Sequence, residues 1–128
     1  MYEGIVDFAD ILPTLANIAK IDPANYYTDG KSFYTVLTGS DHPLQSEVFI
    51  HYSPRWGKFK TNRWVMDGRY KLYQDGRFYN TSVDLPEKDS LINLTSKEQE
   101  IRKRFESILW LKENEFPFEW NSKKVPSR

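Results

Sequence analysis

The stretch Ile50–Trp64, IHYSPRWGKFKTNRW, holds the side chains best suited to chemistry. His51, Arg55, Lys58, Lys60 and Arg63 alternate there with Tyr52, Trp56, Phe59 and Trp64. Arginine presents a planar fork of donors that fits an oxyanion, and tryptophan presents a flat face on which a ring can stack. The combination suits a ring-shaped ligand carrying a negative group. His51, Arg55, Trp56 and Lys58 are the candidate binding residues, with Arg55 and Trp56 foremost because Pro54 and Gly57 bracket them in a loop. Each has a plainer reading. Tyr52 and Trp64 alternate within strand-like runs and read as core, His51 falls in mid-strand, and Lys58 and Lys60 suit a solvated rim. The same pattern could stack a single nucleic-acid strand. That reading is set aside because 18 basic and 18 acidic residues cancel and no nucleic-acid motif is present.

The elements that must position this loop are legible around it. SEVFIHYS before it is rich in β-branched and aromatic residues and reads as a strand. After it, TNRWVMDGRYKLYQDGRFYN spells Asp-Gly-Arg twice. Asp-Gly between β-prone runs is a strong hairpin signal, because glycine accepts the positive φ of a tight turn. Three successive antiparallel strands are expected at residues 61–66, 70–74 and 77–79. A polar loop follows, and then a helix beginning at Thr95 or Ser96. Ser96 and Gln99 have capping-box spacing, and Ile101, Phe105, Ile108 and Leu109 form its apolar stripe to about Asn114.

Upstream, DFADILPTLANIAKI places Phe8, Ile11, Leu12, Leu15, Ile18 and Ala19 on one helical face. Pro13 is tolerated only in a first turn, which makes Asp10 the expected N-cap, accepting from the N–H groups that follow it. Asp22-Pro23 is expected to stop the helix, Asp29-Gly30 to turn the chain, and Ser32 to cap a short helix through Leu37. The class is α+β: an antiparallel sheet of about four strands, one face covered by the C-terminal helix, with a helix preceding it.

Composition narrows the chemistry. The 128 residues suit one modest core and include no cysteine, which excludes disulfides, thiolate zinc sites and cysteine nucleophiles. No apolar run approaches the ~18 residues of a membrane span, and MYEGIVDFAD does not read as a signal peptide. Asp84, Glu87 and Asp89 make an acidic loop with too few ligands at fixed spacing for a metal. The triplets beginning at Asn80 and Asn93 match the glycosylation sequon, a pattern that arises often by chance.

Several pieces in order carry a family resemblance. VDFADILPTLANIA, DGKSF and VLTG resemble the stretch of type I sulfatases that reads Asp-x-x-Pro-Thr-Leu, then Asp-Gly-x-Ser, then a leucine-rich turn ending in glycine. RWVMDGRYKLYQDGRFYN is similar to that family's C-terminal hairpin, and VDLPEKDSLINL to its loop of Asp-Pro-x-Glu followed by Asn-Leu. The resemblance covers roughly residues 6 to 110. Departures are Lys20, where the family often has glycine, Asn80, where it often has aspartate, and Pro86, displaced by one. The family's Cys/Ser-x-Pro-x-Arg motif, source of its formylglycine nucleophile, has no counterpart here. Lys124–Arg128 reads KVPSR, with lysine in the nucleophile's place and at the wrong end of the chain.

The resemblance therefore implies the C-terminal part of a sulfatase-like hydrolase, inactive as this isolated chain. Calcium and formylglycine are expected only in a catalytic domain that is missing here. It implies residues 1–45 as a helical segment from the edge of that domain, 46–115 as the C-terminal subdomain, and 116–128 as a tail. It implies a sulfated small molecule or saccharide as ligand, contacted by His51, Arg55, Trp56 and Lys58. The N-terminal helix is expected to meet the missing domain or a second copy, with no nucleic-acid or membrane partner. The full-length family works in the periplasm or outside the cell, which leaves this chain's own compartment open. The rival reading is a free-standing module that binds sulfated saccharides.

Overall fold

The computed structural model describes residues 4–39, 45–54 and 60–115. The chain divides after Val48 into two compact units.

In the first unit a 3₁₀ turn, Phe8–Asp10, leads into helix α1, Ile11–Ile18, and a short helix α2 follows at Tyr34–Leu37. Asp10 departs from its expected role. It stands at the N-cap of α1, yet its carboxylate accepts none of the N–H groups that follow. It turns back to accept the N–H of Asp7 at 2.8 Å and across to accept the N–H of Lys31 at 2.7 Å and Gln45 Nε2 at 3.2 Å. Thr14 completes the tie: its hydroxyl donates to the Asp10 carbonyl at 2.6 Å and accepts the N–H of Phe33 at 3.0 Å. Asp10 and Thr14 are buried, as are Pro13 and Ala16. Gly30 passes so close that a Cβ there would lie 2.0 Å from the carbonyl oxygen of Ala9.

The end of α1 also differs from the expectation. Asp22-Pro23 lies beyond it; the helix stops at Ile18 because Lys20 adopts a left-handed φ of 56°. Ile21 N–H then reaches the carbonyl of Ala16 and Lys20 N–H that of Asn17, the paired bonds of a Schellman cap. The apolar stripe of α1 faces outward: Ile11, Leu12, Leu15 and Ile18 are exposed, and Phe8 is 86% exposed.

The second unit holds a four-stranded antiparallel sheet in the order β1-β2-β3-β4: Val48–Tyr52, Asn62–Met66, Tyr70–Tyr73 and Phe78–Asn80. Helix α3, Ser96–Glu115, packs over β2 and β3. Strand alternation sends Val65, Tyr70, Leu72 and Phe78 toward α3, where Ile101 and Phe105 complete the buried core. Phe78 and Phe105 meet edge to face at 6.5 Å.

Both Asp-Gly-Arg triplets are hairpin turns, spelled alike but built differently. In the first, Asp67 Oδ1 accepts the N–H groups of Arg69 and Tyr70, and Gly68 takes φ 83° inside a two-residue loop. In the second, Gly76, at φ 90°, closes a three-residue loop between Tyr73 and Arg77, its N–H bonded to the Tyr73 carbonyl. The capping box of α3 sits one residue earlier than its expected spacing. Thr95 N–H donates to Glu98 Oε2 at 2.8 Å, and Glu98 N–H returns to Thr95 Oγ1 at 3.3 Å. Gln99 instead donates its side-chain amide to the carbonyl of Leu94.

Candidate functional site

The basic-aromatic loop leaves the sheet between β1 and β2. Its two roots are tied together: Ser53 Oγ lies 3.3 Å from Thr61 Oγ1. Arg55, Trp56 and Lys58 lie outside the described residues. His51, their fourth candidate companion, is exposed on β1, two residues before the loop's first root.

Beneath His51 the structure builds a charged cluster. Arg63 on β2 is buried, 1% exposed, on the helix-facing side of the sheet. Its Nη1 donates to Glu113 Oε2 of α3 at 2.6 Å, and its Nη2 lies 3.4 Å from His51 Nδ1. Gln74 Nε2 donates to the same Glu113 oxygen at 3.0 Å, and the Gln74 N–H donates to the Arg63 carbonyl at 2.9 Å. Partial burial lowers the His51 pKa, the Arg63 charge lowers it further, and Glu113 pulls it back in part. The net shift favours the uncharged imidazole. Sequence reasoning had placed Arg63 among the loop's basic residues. Its partner lies 50 positions away on another element, and no local pattern signals it.

The sheet's other face carries a second cluster, which the sequence reading missed. Lys71 Nζ sits 4.6 Å from the ring centroids of both Trp64 and Tyr73. Glu87 accepts from Lys71 Nζ and from the Tyr73 hydroxyl, each at 2.6 Å. Arg77 covers the Tyr73 ring at 4.4 Å. For Glu87, burial alone would raise the pKa, but the bonds from Lys71 and Tyr73 outweigh it and the carboxyl is held low. For Lys71, burial alone would lower the pKa, and the bonds to Glu87 and Tyr73 reverse it upward. Glu87 reaches this position at φ 55°, at the end of a turn in which it donates to the Asp84 carbonyl. The signal available in the sequence was a lysine on a strand between two aromatics. These groups satisfy one another, so the cluster locks the 81–94 loop to the sheet and does not read as a ligand site.

The two residues read as core from strand alternation divide. Trp64 is half-buried in this second cluster, whereas Tyr52 is 43% exposed near the loop root. Asp84, in the acidic loop, accepts the N–H groups of Asp89 and Lys88, which hold its pKa low. Among the described residues no group of acidic or histidine side chains could hold a metal ion, and no helix is long and apolar enough to cross a membrane. No protein-family model matches the chain, and no curated protein matches it.

Proposed function

We propose that the chain is the C-terminal part of a sulfatase-like sulfuric ester hydrolase. In this reading it shapes the substrate cleft with the loop between β1 and β2 and contributes neither the nucleophile nor the metal site. The observation that carries the reading is the tie between Asp10 and Lys31. The two N-terminal motifs, Asp-x-x-Pro-Thr-Leu and Asp-Gly-x-Ser, are one physical object: the aspartate and threonine of the first hold backbone N–H groups in and beside the second. Motifs that depend on each other in space are poorly explained as chance spelling. Lys20 adds support, since the resemblance puts glycine at a position whose φ of 56° favours glycine. The exposed α1 stripe is the surface a catalytic domain, or a second copy, would cover.

The test is turnover of an aryl sulfate by the purified chain, together with the size of the native polypeptide in source-cell extract. The expected results are no hydrolysis and a native band several times heavier than 15.2 kDa. Hydrolysis by material free of contaminating enzyme overturns the reading.

The second reading is a stand-alone module that binds sulfated saccharides through the loop rooted at Ser53 and Thr61. A native band at 15.2 kDa supports it. So does preference for a sulfated over an unsulfated saccharide that Arg55→Ala abolishes.

A further inference from the structure

The loop between β4 and α3 is fixed at both ends. Thr81 donates its N–H at 2.8 Å and its hydroxyl at 3.0 Å to the Arg69 carbonyl. At the far end Ser90 Oγ accepts the Phe78 N–H and donates to the Phe78 carbonyl, Leu91 N–H donates to the same carbonyl at 2.7 Å, and Leu91 and Leu94 pack against the core. Between these anchors residues 84–89 close on themselves. The Asp84 carboxylate accepts the N–H groups of Lys88 and Asp89, and its carbonyl accepts that of Glu87. Val83 and Asp84 tether the start of this turn to the Asn80 carbonyl. Beyond that tether, among the described residues, only the Glu87 carboxylate bonds the turn to the sheet, through Lys71 Nζ and the Tyr73 hydroxyl. Apolar burial adds little hold there: Val83 is 80% and Leu85 81% exposed. The contact also works against its own backbone, since Glu87 stands at φ 55°, where a Cβ is disfavoured.

We infer that residues 84–89 form a flap that Glu87 alone latches to the face of the sheet opposite α3, and that the flap swings free as a unit when the Glu87 carboxylate is protonated. The anchors at Thr81 and Ser90 confine the motion, so the sheet and α3 stay folded. Three groups face the carboxylate: Lys71 and Tyr73 from β3, and Arg77 from the turn before β4. A protonated Glu87 loses its charge-assisted bonds to the Lys71 ammonium and the Tyr73 hydroxyl. Burial disfavours the charge on Glu87, but the bonds from Lys71 and Tyr73 outweigh it and hold the pKa low, so the latch is shut at neutral pH and opens only in acid. Release leaves Lys71 Nζ and the Tyr73 hydroxyl open to solvent beside the Trp64 ring. The device does not depend on the sulfatase reading.

Backbone order parameters from nitrogen relaxation of the full chain test the latch. At pH 7 residues 84–89 of the parent should match rigid backbone, at about 0.85. In Glu87→Ala the same residues should fall below about 0.6, while β3 and α3 keep their values. Acidifying the parent should release the flap before the sheet loses order. Asp84→Asn keeps an acceptor for the Lys88 and Asp89 N–H groups and removes the turn's other buttressing carboxylate charge, so it should leave the midpoint of release in place. A flap that stays rigid in Glu87→Ala overturns the latch. Order lost in β3 or α3 together with the flap overturns its independence. A release that coincides with unfolding of the sheet, or whose midpoint moves with Asp84→Asn, overturns Glu87 as the trigger.

Discussion

The carboxylate of Asp10 accepts the backbone N–H of Lys31 at 2.7 Å, across 21 residues of sequence. The same side chain accepts from Asp7 and Gln45. A buried carboxylate with several N–H donors is stable because each charge-assisted bond offsets part of its desolvation. Asp10→Ala leaves the N–H groups of Asp7 and Lys31 without that partner and should destabilise the first unit by about 3 kcal/mol. Urea denaturation checks it; a loss below about 1 kcal/mol would sink the account.

Gly30→Ala tests the same contact sterically. The added methyl meets the Ala9 carbonyl oxygen at 2.0 Å, a backbone atom that cannot swing aside. The first unit should lose its cooperative unfolding, whereas Gly68→Ala in the second unit meets no neighbour and costs only the strain of its φ of 83°. Amide exchange in α1 under the two substitutions separates them.

Lys20→Gly should stabilise the protein by about 1 kcal/mol, because glycine adopts the left-handed region without the Cβ penalty lysine bears there. The higher entropy of glycine in the unfolded chain takes back part of the gain. Thermal unfolding of the pair measures the difference. A destabilised glycine variant would mean that the lysine side chain contributes more than its backbone strain costs.

Glu87 and Lys71 set a pH window. The folded pKa of Glu87 lies below its unfolded value, so its contribution is complete above the ordinary carboxylate range and is lost as pH falls through the lowered pKa. The folded pKa of Lys71 lies above its unfolded value, so its contribution is complete below the ordinary lysine range and is lost as pH rises through the raised pKa. The stability difference between the parent chain and Glu87→Gln should be flat from roughly pH 6 to 9 and shrink on both sides. A difference that grows in acid contradicts the pairing.

Phe105→Ala should cost about 4 kcal/mol, since the ring is 0% exposed and its removal opens a cavity against Phe78. Trp110→Ala, on the exposed side of α3, should change stability by less than about 0.5 kcal/mol. Chemical denaturation of both variants tests whether α3 is held by one face alone.

The sequence by itself determined the elements whose signals are local. Asp67-Gly68 and Asp75-Gly76 announce two turns because only glycine takes those φ values cheaply, and the strands between them follow. The spacing of Ile101 and Phe105 announces the buried face of α3 because helical period is a local property. The helix starts at Ser96, within the expected choice, but the capping box lies one residue earlier than the spacing suggested: Thr95 and Ser96 are both followed three residues on by a side chain that can complete a box, and sequence alone does not rank them.

Tertiary structure decided the rest. Asp10 reads as a cap until Lys31 is brought beside it. Arg63 reads as a loop cation until the fold buries it and α3 delivers Glu113 over the sheet to pair with it. Glu87 reads as part of an acidic loop until a turn at Asp84 folds it onto Lys71, which sits against Trp64 and Tyr73. In each case the partner is distant in the chain, and what a polar side chain does depends on which donor or acceptor the fold carries to it.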